Sequence, residues 1–109
     1  MKRFVFVFSV LALLVGCQTT TVAPDPGVLR VGVSANSQPL IYKQGGQIMG
    51  IEADFAQKLG QSLNRKVVII EMPWDKLIDS LEADRIDIIM SGMSITPTRG
   101  IRINFTNPY

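Results

Sequence analysis

The sequence predicts an α/β fold, an open and mainly parallel sheet flanked by helices. Runs rich in Val, Ile and Leu alternate with segments of helical period, in the order strand, helix, strand, helix, strand. The links between them are short, as βαβ units require, and such units place consecutive strands parallel.

Residues 28–34 (VLRVGVS) form the first expected strand, bounded by Gly27 and a polar loop. In residues 38–50 (QPLIYKQGGQIMG), Gly45-Gly46 separates two short apolar pieces, the signature of a small hairpin. From Ile51 to Leu63, apolar residues recur at Ile51, Phe55, Leu59 and Leu63, with Ala56 beside them. That stripe predicts an amphipathic helix packed through it. Gly60 costs the helix about 1 kcal/mol relative to Ala, tolerable so near its end. Glu52 and Asp54 open the helix, where negative charge suits the dipole.

The β-branched run at 66–71 (KVVIIE) predicts a strand buried on both faces. Pro73 suits a first helical turn, and Trp74, Leu77, Ile78 and Leu81 follow at i, i+3, i+4 and i+7 as a second helix. Residues 86–90 (IDIIM) give a third strand and 102–105 (RINF) a fourth. Asp84 and Asp87 flank the turn at the far end of the sheet, where solvated or capping roles fit them.

Ligands of open α/β sheets sit outside the carboxyl ends of the strands. Three loops converge there: 34–40 (SANSQPL), 72–75 (MPWD) and 91–100 (SGMSITPTRG). In the last, Thr96-Pro97 makes a good N-cap and N1 pair. Arg99 on the same turn can pair with a carboxylate in bidentate fashion, Ser91 and Ser94 add hydroxyls, and Gly92 permits close approach to the backbone. The same residues also fit a solvated loop with Arg99 paired to a surface acid. Trp74 could wall a ligand or anchor the core.

The chain opens with Lys2, Arg3 and the apolar run FVFVFSVLALLV, shorter than the roughly 20 residues a spanning helix needs. This reads as a signal peptide over 1–16, ending in LVGC, which resembles a bacterial lipobox. Cys17 is then the lipidated residue that anchors the chain to a membrane, and residues 17–27 are a flexible tether. An ordinary secretory signal in which Cys17 is incidental is the alternative. Of 11 Lys+Arg, Lys2 and Arg3 belong to this leader, so nine basic residues face nine acidic ones. The balance speaks against a nucleic-acid partner. With no His and a single Cys, the chain offers no metal site, no catalytic constellation and no sign of a cofactor. A domain of this size is marginal alone, and the ending INFTNPY reads as a strand and a turn that stop short. A fragment, or a lobe that packs on something else, is expected.

The stretches LRVGVS, MGIEADFAQKLGQSLN, MPWDKLIDSLEADRIDIIMSGMSITPTRG and INFTNPY resemble the first lobe of bacterial solute-binding proteins of the amino-acid type, family 3. The resemblance covers residues 28–109. It implies a periplasmic-binding-protein-like lobe, truncated before its second lobe, that binds amino acids or similar small carboxylates for an ABC permease. The cell envelope, facing the periplasm or the exterior, is the implied location. Arg99 would pair with the ligand carboxylate, helped by Ser91, Gly92, Ser94 and Thr96, and Trp74 would line the ligand side chain. Where many members carry an acid and an aromatic after the first strand, this chain has Ser34 and Ser37. Without the second lobe, binding is expected to be weak. The same lobe also occurs in sensors, in dehydratase-type enzymes and as the front of membrane-bound lytic transglycosylases, so a regulatory module is the alternative.

Overall fold

The computed structural model describes residues 23–109. The expected signal peptide, Cys17 and most of the segment expected as a tether lie outside the described residues. Just before the first strand the Asp25 carboxylate accepts from Gly27 N–H at 2.8 Å, and this turn feeds the strand.

Three parallel strands make the main sheet, in the order β5-β1-β6: β1 (Val28–Val33), β5 (Lys66–Glu71) and β6 (Ile88–Ile89). Val28 pairs with Lys66 through to Val33 with Glu71, and Val31 with Ile88 on the other side. Being central, β1 is buried on both faces. Leu29, Val31 and Val33 point into the main core with Ala53, Ala56, Ile41 and Met90. On the opposite face Gly32 lies under Ile86 and Leu77. The sheet is therefore covered on one side by helix α1 (Ile51–Ser62) and on the other by α2 (Leu77–Glu82).

Between β1 and α1 runs a small antiparallel sheet of β2 (Asn36–Ser37), β3 (Ile41–Gln44) and β4 (Gln47–Met49). The hairpin turns at Gly45 and Gly46, both at positive φ (58° and 80°), the two-residue primed turn that matches strand twist.

Four expectations are corrected. Of the expected stripe on α1 only Ala56 is buried and Leu59 partly so; Ile51, Phe55 and Leu63 stay exposed, and Glu52, Ala53 and Gly60 complete the buried face. Small side chains let the helix lie close to the sheet, and closeness rather than bulk sets the contact. β5 is an edge strand with Val68 exposed, because only β1 pairs with it among the described residues. The second helix starts as a 3-10 turn, Trp74–Lys76, with Pro73 ahead of it at ψ 144°, and becomes α-helical only at Leu77. Residues 102–105 form no strand, since no ladder partner meets them among the described residues. Arg102 instead reaches α2, pairing with Asp79 at 2.7 Å and Glu82 at 2.5 Å, and holds both carboxyls below their usual range. At the far end of the sheet, Asp87 takes Arg30 Nη2 at 2.7 Å and is likewise depressed by that bond.

Gly60 separates helix propensity from packing. A Cβ there would overlap the Val67 side chain and lie 2.9 Å from the Arg65 carbonyl. Propensity alone would make Gly60→Ala stabilising by about 1 kcal/mol. We expect a loss of about 1–3 kcal/mol in urea unfolding instead; a stabilised variant would mean that α1 is free to lift from β5.

Candidate functional site

The loops at the carboxyl ends of β1, β5 and β6 meet on one side of the sheet, and the residues singled out from the sequence occupy them. After β6 the chain is fastened before it turns outward. Ser91 is 3% exposed, and its Oγ accepts from Ser34 N–H at 2.9 Å while donating to Ser34 C=O at 3.2 Å. Both of its hydrogen-bonding functions thus join the β6 loop to the β1 loop. Gly92 follows at φ 64°, a left-handed position that suits glycine, and its N–H donates to Glu52 Oε1 at 3.1 Å.

Beyond it, Thr96 is extended (φ −135°, ψ 152°) and its Oγ1 accepts from Arg99 N–H at 3.3 Å. This is the N-cap of α3 (Pro97–Gly100), with Pro97 in the first helical position. Pro97 has no N–H and that of Arg99 is capped, so Thr98 holds the N–H of this turn left without an intrahelical acceptor.

Arg99 is half-buried, and its guanidinium is held from two sides. Nη1 donates to the Ser94 carbonyl at 2.8 Å, and Cζ stands 5.5 Å from the centroid of Trp74. That distance is within cation–π range. No carboxylate among the described residues pairs with it. The surface acid that the loop alternative required is absent from that set. Trp74 keeps 37% of its surface exposed, so it is not the core anchor of the second helix; Leu77, fully buried, fills that place. Ser94 lies exposed beside this pair; Ser37 is on β2, where its hydroxyl donates to Asn36 Oδ1 at 3.3 Å.

The structure thus brings Trp74, Ser94, Thr96 and Arg99 together on an open face. A separate groove of about 630 Å³, lined by Gln57, Gly60, Arg65 and neighbours, shares no residue with them. The face offers a fixed guanidinium, an aromatic plane and hydroxyls, chemistry suited to holding a small anion with a side chain attached.

Sequence reasoning missed Glu52. It is 4% exposed and accepts from both Gly92 N–H and, at 2.7 Å, Tyr109 Oη–H. Desolvation and this bond to Glu52 push the Tyr109 phenol up to about 12. The Tyr109 ring also meets Phe55 edge to face at 5.1 Å. No local pattern marks a contact spanning 57 residues; the one hint was an acid in the first turn of a helix whose next residue is Ala53.

The profile of the bacterial extracellular solute-binding proteins, family 3, matches residues 29–109. The histidine-binding periplasmic protein of Escherichia coli is 36% identical over 108 residues, covering 98% of this chain and 41% of that protein. Cyclohexadienyl dehydratase of Pseudomonas aeruginosa is 37% identical over 86 residues, 78% of this chain and 32% of the enzyme. This chain therefore spans well under half the length of these relatives. Among solved structures, the arginine-bound form of domain 1 of ArgBP from T. maritima superimposes with a TM-score of 0.75 at 37% identity, covering 80% of this chain and 73% of that one. The parallel sheet, the covering helices and the matched residues agree: the chain belongs to the bacterial extracellular solute-binding proteins, family 3, and forms their first, N-terminal lobe.

Proposed function

We propose that this lobe binds the carboxylate end of an amino acid, with Arg99 as the charged partner and Trp74 beside the ligand side chain. One observation carries the reading: the Arg99 guanidinium is fixed by Ser94 and Trp74 yet has no acid partner among the described residues. A cation held in place without its counter-charge is a preorganised anion receptor. Thr96 shapes the turn that carries Arg99, Ser94 and Ser37 supply hydroxyls at the rim, and Ser91 and Gly92 act by fixing the loop. The relatives named for histidine and arginine support an amino-acid ligand. Similarity to a dehydratase keeps an enzymatic relative in view. Binding is the better reading, because Arg99 is the one ionisable side chain in the Trp74–Ser94–Thr96–Arg99 cluster.

On this reading the chain is a lipid-anchored binding component, held in the cell envelope through Cys17, that hands its ligand to an ABC importer. The anchor rests on the LVGC pattern and the importer on family membership. Isothermal titration with L-arginine and L-histidine tests the ligand class. Saturable heat with either is the expected result, in the micromolar-to-millimolar range for a one-sided site. No heat with any amino acid of a broad panel would remove the reading.

A further inference from the structure

We propose that Glu52 is the positioning residue of the ligand loop, tying its first turn at Gly92 to Tyr109 and to the loop before β3. The role of that loop rests on the function proposed above; the contacts do not. Burying a carboxyl group is costly unless its oxygens find donors. Glu52 is buried, has no ion pair among the described residues, and accepts one hydrogen bond on each oxygen: Gly92 N–H at 3.1 Å and Tyr109 Oη–H at 2.7 Å. Its own backbone N–H donates to Leu40 C=O at 3.0 Å. Three separate segments therefore converge on one residue in the first turn of α1.

The consequence falls on Arg99. With Gly92 N–H committed to Glu52 and the Ser91 hydroxyl committed to Ser34, the peptide between them has a set orientation. The loop leaves β6 in one direction. At its other end Arg102 is pinned to Asp79 and Glu82 on α2. Arg99 is carried between these two fastenings, which reduces the ordering that binding must otherwise supply. Tyr109 is fixed at its hydroxyl by Glu52 and at its ring by Phe55, so it braces the acid from the far side.

Two measurements on the full chain decide the matter: amide hydrogen exchange at residues 91–96 without ligand, and titration with L-arginine. Glu52→Ala is expected to speed exchange at Gly92 by about tenfold or more and to weaken L-arginine binding about tenfold. Glu52→Gln keeps an acceptor for Gly92 and is expected to restore most of both, while the Tyr109 phenol titrates nearer the ordinary value of about 10. Gly92 exchanging as slowly in Glu52→Ala as in the parent would overturn the proposal. Because exchange is read without ligand, a parent chain that ignores L-arginine defeats the ligand assignment and leaves this test intact. Should Glu52→Ala fail to fold, Tyr109→Phe takes its place, with about threefold faster Gly92 exchange expected. Unchanged exchange there would overturn the link to Tyr109.

Discussion

Replacing Arg99 by alanine is expected to weaken amino-acid binding by about 30-fold or more, while leaving the fold intact. The size follows from what is removed. A guanidinium that meets a carboxylate through paired charge-assisted bonds is worth about 2–5 kcal/mol to the complex. Its loss costs the lobe little, because among the described residues the Arg99 guanidinium makes one hydrogen bond, to the Ser94 carbonyl, and one cation–π contact, to Trp74. Arg99→Lys should recover only part of the affinity, since an ammonium can neither fork onto a carboxylate nor stack as a plane on the indole. Titration calorimetry with L-arginine reads the affinity, and circular dichroism confirms the fold. Equal affinity in the parent and Arg99→Ala would place the carboxylate elsewhere.

Gly50→Ala is expected to be the most damaging small substitution for stability. Gly50 stands at φ 123°, ψ 177°, a conformation essentially reserved for glycine, immediately before α1. A Cβ would overlap the Leu40 carbonyl oxygen and lie 2.8 Å from that of Pro39. Those two carbonyls accept the first N–H groups of α1, from Glu52 at 3.0 Å and Ile51 at 3.3 Å. Neither can retreat without breaking the bonds that seat the helix. Strain and clash together should cost about 3 kcal/mol or more, lowering Tm by roughly 12–24 °C for a domain of this size. Gly45→Ala is the control: its φ is 58°, but nothing lies within 4 Å of the added carbon. Strain alone, about 1–2 kcal/mol, is expected there. Equal melting of the two variants would show that contact with the 39–40 backbone is unimportant.

What could be read from the sequence was whatever depends on near neighbours. The β-branched run of β1, the Gly45-Gly46 hairpin and the Thr96-Pro97 cap are each decided within a few residues, and the structure has all three. The span of α1 was legible too, but its buried face was not. Ala53 and Gly60, which flank the expected Ala56 and Leu59 on that face, carry little hydrophobic weight in a periodicity argument, although their smallness brings the helix onto β5. The edge position of β5 and the absence of a strand at 102–105 depend on which partners are present, and pattern is silent about partners. At the site, residue types pointed to Arg99 and Trp74 separately. Their contact arises because β5 and β6 flank β1 in parallel, so the loops after them leave the same edge of the sheet, a property of strand order. The sequence shows Glu52 only as a partner of the helix dipole, because the groups that donate to its carboxylate lie 40 and 57 residues away.

If Arg99 receives the ligand carboxylate, removing that group from the ligand acts on the same contact as removing the arginine. Agmatine is L-arginine without that group. Titrating both compounds into the parent and into Arg99→Ala closes a thermodynamic cycle. The parent is expected to prefer L-arginine to agmatine by about 100-fold, and Arg99→Ala to lose most of that preference. A parent that binds the two equally, or an Arg99→Ala variant that keeps the full preference, would contradict the assignment.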